Sequence, residues 1–373
     1  MKNEKIYYID NLRVLLITLV ILHHSFITYG APGGWYYKEA TTHLAALIPM
    51  TLFVATNQSF FMGFFFFLSA LFIESSIGKK GLAVFMTDRM KRLGIPLVFY
   101  SLVISPVISW LVERFGYDNK ISYWQYLSVY HHWVDFGVLW FVAALLLFTF
   151  IYILLRKLIK FKSENSRSVP GNYVILFFAF TIGVLSYLVR IVYPVGWVLQ
   201  PVGFQLAHFS QYIAMFILGI VAARNHWLNN FDIKKAKPFL TIALVMIFIG
   251  FPLMYVVKIV TGCSIDDFSG AGTYQSFLSA VWEQITGISI MVVLLGYGRE
   301  KWNRQSTLLK NMSRSAYAVY IFHPLILVSL ALFFSRFSMG PVAKLIFVAP
   351  LAVVFSFSAG RALVRIPGLK NII

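Results

Sequence analysis

The chain has 373 residues and a formal charge of +18, with 59% hydrophobic and only 12% charged residues. Soluble domains sit near about 45–50% apolar and about 25% charged, so a soluble globule is excluded, and 36 Phe, 20 Tyr and 9 Trp exclude a disordered chain. The single cysteine, Cys263, excludes a disulfide scaffold, and the basic residues form small clusters between apolar runs rather than the long stripe with interleaved aromatics that nucleic acid requires.

What remains is a polytopic membrane protein. Ten apolar runs follow one another at 11–30, 46–73, 93–112, 137–155, 172–191, 207–224, 238–258, 277–297, 316–335 and 342–360. Each is about the 20 residues that a spanning helix needs. At that depth the backbone must bond within its own segment, which leaves helices or a closed barrel. Runs such as Phe61–Leu68 and Ile290–Leu295 do not alternate as barrel strands do. The expected fold is therefore an all-α bundle of about ten transmembrane helices in the cell membrane. With the N-terminus placed in the cytoplasm, 24 Lys and Arg fall in inside connections and 7 outside, Arg13 lying within the first run. That asymmetry predicts both termini cytoplasmic. No cleavable signal, repeat or soluble insertion interrupts the pattern, so residues 1–373 read as one membrane domain. Chemistry must then take place within the bundle or at its ends.

An ionisable group inside a span costs about 2.5–3.5 kcal/mol on insertion scales, so each one needs a partner or a task. The first run carries Asp10, Arg13, His23 and His24. Arg13 and His24 share a helix face about 16 Å apart, Asp10 is placed to pair with Arg13, and His23 points about 100° away. Ser69 lies in the second run, and Glu74 at its end is expected to be solvated. Arg89 and Arg92 follow on an amphipathic stretch, Leu82 to Gly94, with the fork geometry that suits phosphates. Glu283 in the eighth run needs a cation, for which Arg190 and Lys258 are both available. The ninth run carries Tyr317, Tyr320 and His323 at steps of three, followed by Pro324, a kink former. The outer loops hold His131, His132, Asp135, Asp266 and Asp267 without metal-ligand spacing, so no metal is expected.

Five segments together resemble one family. Asp10-x-x-Arg13 followed by His24 is similar to the opening motif of the membrane acyltransferase 3 family, and Phe65-Phe66-x-x-Ser69-Ala70 is similar to its second-helix motif, with Ala70 where Gly is usual. Arg89-x-x-Arg92-x-x-x-Pro96, Leu139-Trp140-Phe141 and the run from Ser315 through Tyr317, Tyr320 and His323 to Pro324 resemble the later ones. The bare ten-span layout looks most like the branch that includes glucan succinyltransferases and O-acetyltransferases. The resemblance implies O-acylation of an extracytoplasmic glycan or lipid-linked sugar by cytoplasmic acyl-coenzyme A, acetyl or succinyl, as a co-substrate with no permanently bound cofactor. It implies His24 as base, supported by Arg13 and Asp10, with Arg89, Arg92, Ser69, Trp140, Tyr320 and His323 binding substrates and His23 and Glu283 less central. The rival class is a transporter or flippase using the same buried groups without covalent chemistry.

Overall fold

The computed structural model describes residues 6–158, 168–369 and 372. Lys2, Lys5, Lys160, Lys162, Arg167 and Lys370 of the loop count lie outside these. Among the described residues ten helices are long and apolar enough to cross a membrane. They are α1 (Tyr7–Thr28), α2 (Leu44–Lys80), α3 (Leu82–Gly116), α4 (Gly137–Arg156), α5 (Asn172–Val192), α6 (Leu206–Arg224), α7 (Ile233–Thr261), α8 (Tyr274–Lys301), α9 (Thr307–Phe334) and α10 (Pro341–Leu363). Polar side chains fix where three of them begin. Asp232 accepts from the Lys234 amide at α7, Thr273 from Ser276 at α8 and Ser306 from Leu309 at α9.

The apolar core surrounds α1, which packs against α9 and α10, while α6 lies against α2 and α8 against α5 and α7. Large apolar side chains also face outward. Phe177, Phe248, Ile249, Ile259 and Val260 are all more than 60% exposed, which suits lipid rather than water. The expected ten spans are present, and two are much longer than their apolar runs. At 35 residues α3 measures about 52 Å. The stretch from Leu82 to Gly94 is therefore its first turns and not a separate surface helix.

Three of the helices depart from regular α geometry for identifiable reasons. In α3, π-turns at Met90–Gly94 and Tyr100–Ile104 come just before Pro96 and Pro106, and in α7 one at Met246–Gly250 comes just before Pro252. Each proline lacks an N–H and crowds the carbonyl four residues back, and a widened turn relieves that crowding. In α2 the helix breaks at Ser59 and Phe60. The freed Ser59 carbonyl accepts from Gln211 Nε2 at 2.7 Å, as backbone without water must. Gly287 on α8 permits that approach, since a Cβ there would stand 1.9 Å from the same carbonyl oxygen.

Candidate active site

Helices α1, α2, α3, α6, α8 and α9 open at one end of the bundle around a cavity of about 1,920 Å³. Drug-sized pockets hold about 300–1,000 Å³, so a far larger ligand fits. The rim is strongly basic. Arg13, Lys79, Lys80, Arg89, Arg92, Arg224, Arg299 and Arg314 line it, against Asp10, Glu74 and Asp88. All three carboxylates are already engaged: Asp10 with Arg13 at 3.2 Å, Asp88 with Lys80 at 2.5 Å and Glu74 with Arg224 at 3.3 Å. Among the described residues no carboxylate pairs with Arg89 or Arg92. Arg89 lies over the Phe85 ring and Arg13 over Phe72, at 5.2 and 5.0 Å. A ring contact leaves the guanidinium's N–H donors unused, and at Arg89 no carboxylate among the described residues takes them, whereas Arg13 already bonds Asp10.

Along α1 and α9 the lining reaches inward to Ile17, Phe65, Phe141 and Tyr320, with Ser69 on the wall. The Tyr320 hydroxyl is bound to the Val138 carbonyl at the start of α4, so its ring stands across the inner end. One helical turn further along α9 lies His323, wholly buried, and its Nε2 stands 3.2 Å from His24 Nδ1. Two residues separated by 299 positions thus form one pair.

Pro324 determines how the pair is protonated. Having no N–H, it leaves the Tyr320 carbonyl, four residues earlier, without its helix partner. His323 Nδ1 lies 2.8 Å from that carbonyl. A carbonyl only accepts, so Nδ1 carries the hydrogen and Nε2 the lone pair. His24 Nδ1 must then donate to His323, which leaves the lone pair of His24 on Nε2. Of the two rings His24 is the one with exposed surface. A proton acceptor is therefore presented at His24 and supported from behind by His323.

The loop between α1 and α2 folds back over this pair. Amides of Glu39 and Thr41 bond the carbonyls of Thr28 and Tyr29 at 2.8 and 3.1 Å. Glu39 is clamped by the buried Lys344 of α10 at 2.5 Å, and Tyr36 bonds Tyr100 at 2.7 Å. Burial, with the Asp135 carboxylate nearby, raises the Tyr36 phenol, which therefore remains a neutral hydroxyl. Between these anchors Trp35 stacks on His24, ring centroids 4.0 Å apart and planes 15° apart.

The remaining expected residues occupy varied positions. Trp140 stacks on Tyr212, and its neighbours Phe141 and Val142 line the cavity while Trp140 itself does not. His23 is buried against Phe61 with its ring edge-on to His24, centroids 5.5 Å apart, and makes no hydrogen bond to the His24–His323 pair among the described residues. Glu283 belongs to a separate cluster within the bundle, 2.6 Å from Arg190 and 3.0 Å from His208. Arg190, not Lys258, is its cation. Glu74 is not solvated. It accepts from the Tyr152 hydroxyl and pairs with Arg156 and Arg224 at 3.1 and 3.3 Å, tying α2 to α4 and α6. The sequence reading passed over Trp35 and His208. A Gly- and Pro-rich connection gave no sign that it returns to the bundle.

A membrane-embedded bundle with a basic cavity leading to a paired histidine has the parts of a group-transfer enzyme. The family described as "Acyltransferase domain" matches residues 6–361, and the chain belongs to this acyltransferase 3 family. It is similar to the protein named glucans biosynthesis protein C from Escherichia coli K12, from strain SMS-3-5 and from O157:H7. Each is 24% identical over 388 aligned positions, covering 98% of this chain and 94% of the relative. No solved structure matches.

Proposed function

We propose that this enzyme transfers an acyl group, acetyl or succinyl, from cytoplasmic acyl-coenzyme A to a hydroxyl of an extracytoplasmic glycan or lipid-linked sugar. The observation that carries the reading is the basic cavity ending one turn of α9 below the His24–His323 pair. Its rim has the charge to hold a coenzyme's phosphates, with Arg89 and Arg92 as the forks, and its depth lets a thioester enter past Ser69 as far as Tyr320. The rim then faces the cytoplasm, and both termini lie on that side, as the charge of the connections requires. The full chain acts as one domain. That the relatives are named for glucan biosynthesis supports a glycan acceptor.

In this reading His24 Nε2 takes the proton of the acceptor hydroxyl as its oxygen attacks the thioester carbonyl. The resulting imidazolium is steadied through Nδ1–H by His323. The departing thiolate takes the proton back, so an ester forms and free coenzyme A leaves. Arg13, fixed by Asp10, is about 16 Å from His24 along the axis. It therefore holds the donor and does not touch the reacting carbonyl.

The test is to incubate membranes containing the protein with labelled acetyl- and succinyl-coenzyme A and to extract the cell-surface glycans. Covalently bound label from one donor is expected, falling at least about tenfold in R89A/R92A and restored only partly by R89K/R92K, which lacks the fork. Glycan that reaches the outer face without covalent label would overturn the reading in favour of transport.

A further inference from the structure

The transfer just proposed lacks one component. As the hydroxyl adds, negative charge develops on the thioester carbonyl oxygen, and enzymes commonly meet that charge with a preplaced hydrogen-bond donor. Arg13 is too far away, and His24 and His323 are committed to the proton relay. Beside His24 two buried nitrogens lack a partner among the described residues, His23 Nδ1 and Trp35 Nε1, and only the indole is a donor in every state. Trp35 Nε1 is enclosed by protein and makes no hydrogen bond among the described residues. An indole N–H donates only, and a buried donor without an acceptor costs about 1–3 kcal/mol. The loop nevertheless holds Trp35 in place through Tyr36–Tyr100 and Glu39–Lys344 just after it.

We infer that the Trp35 indole N–H is the oxyanion donor of the reaction. A sugar-stacking platform fits less well, because one indole face is already covered by His24 and Tyr36 packs on the ring at 74°. The electron balance is simple. The hydroxyl oxygen bonds the carbonyl carbon, its proton passes to His24 Nε2, and the C=O pair moves onto the oxygen that accepts from Trp35 Nε1. When that pair returns, the C–S bond breaks and the thiolate takes the proton from His24.

The inference rests on the O-acyl-transfer reading, and the experiment separates the two. Trp35→Phe keeps the ring over His24 and removes only the N–H. Initial rates of label transfer from saturating acetyl- or succinyl-coenzyme A into extractable glycan are compared for the parent, Trp35→Phe and His24→Ala, with the apparent donor KM and the melting temperature of each. Trp35→Phe is expected to lose about 10²–10³-fold in maximal rate, with donor KM and melting temperature near the parent values. A maximal rate within about twofold of the parent, with His24→Ala inactive, overturns the inference and leaves the base reading standing. A rate loss that comes with a raised KM or lowered melting temperature also overturns it, because packing alone then explains the loss. Full activity in both variants rejects the base reading as well.

Discussion

His23 and His24 are adjacent in the chain and differ in almost everything else. His24 meets His323 and keeps an exposed edge, whereas His23 is buried against the aromatic wall of α2 with Nδ1 unpartnered among the described residues. A rotation of 100° about one helix separates a candidate base from a packing residue. General-base catalysis contributes about 10²–10⁴-fold, so His24→Ala should remove nearly all glycan acylation while His23→Ala costs much less at matched membrane abundance. Near-normal acylation by His24→Ala would end the assignment, and loss confined to His23→Ala would move it one residue along. Glu283 shows the opposite case. A carboxylate in mid-span suggested function, yet it is held by Arg190 and His208 and lines none of the basic cavity. It is a joint between α5, α6 and α8.

At the scale of elements, α9 shows how one missing N–H arranges a site. Pro324→Ala restores the donor, which then competes with His323 for the Tyr320 carbonyl and releases the histidine's tautomer. Transfer should fall by about tenfold, the worth of one hydrogen bond of about 1.4 kcal/mol. The melting temperature should hold or rise, since Ala suits a helix interior better than Pro. An unchanged rate would mean that the relay does not matter. The sequence could show that a histidine and a proline were adjacent here, because that is local. It could not show that His323 meets His24, because helices 299 residues apart are brought together only by tertiary packing. The same limit explains Glu74. A carboxylate at a helix end reads as solvated until α4 and α6 bring Arg156 and Arg224 to it. The ten spans were legible because apolar length alone decides them. The π-turns were not, since the prolines mark crowding without saying how the helix relieves it.

For the whole molecule, Lys79, Lys80, Arg89, Arg92, Arg224, Arg299 and Arg314, all counted among the inside connections, line one cavity, and a cytoplasmic position of that rim follows from the charge asymmetry. Reporters active only in the cytoplasm should therefore signal when fused after residues 85, 232 and 305 and stay silent after 125 and 268. A signal at either of the last two would invert or break the topology. The inner end of the cavity has a further consequence. Tyr320, whose hydroxyl is tied to the Val138 carbonyl, belongs to its lining, and neither His24 nor His323 does. A membrane at about 100 mV drives each elementary charge with about 2.3 kcal/mol, and a continuous wet passage would discharge it. The Tyr320 ring, tied across that end, is placed to keep such a passage shut, an aromatic gasket between the basic cavity and the paired histidines.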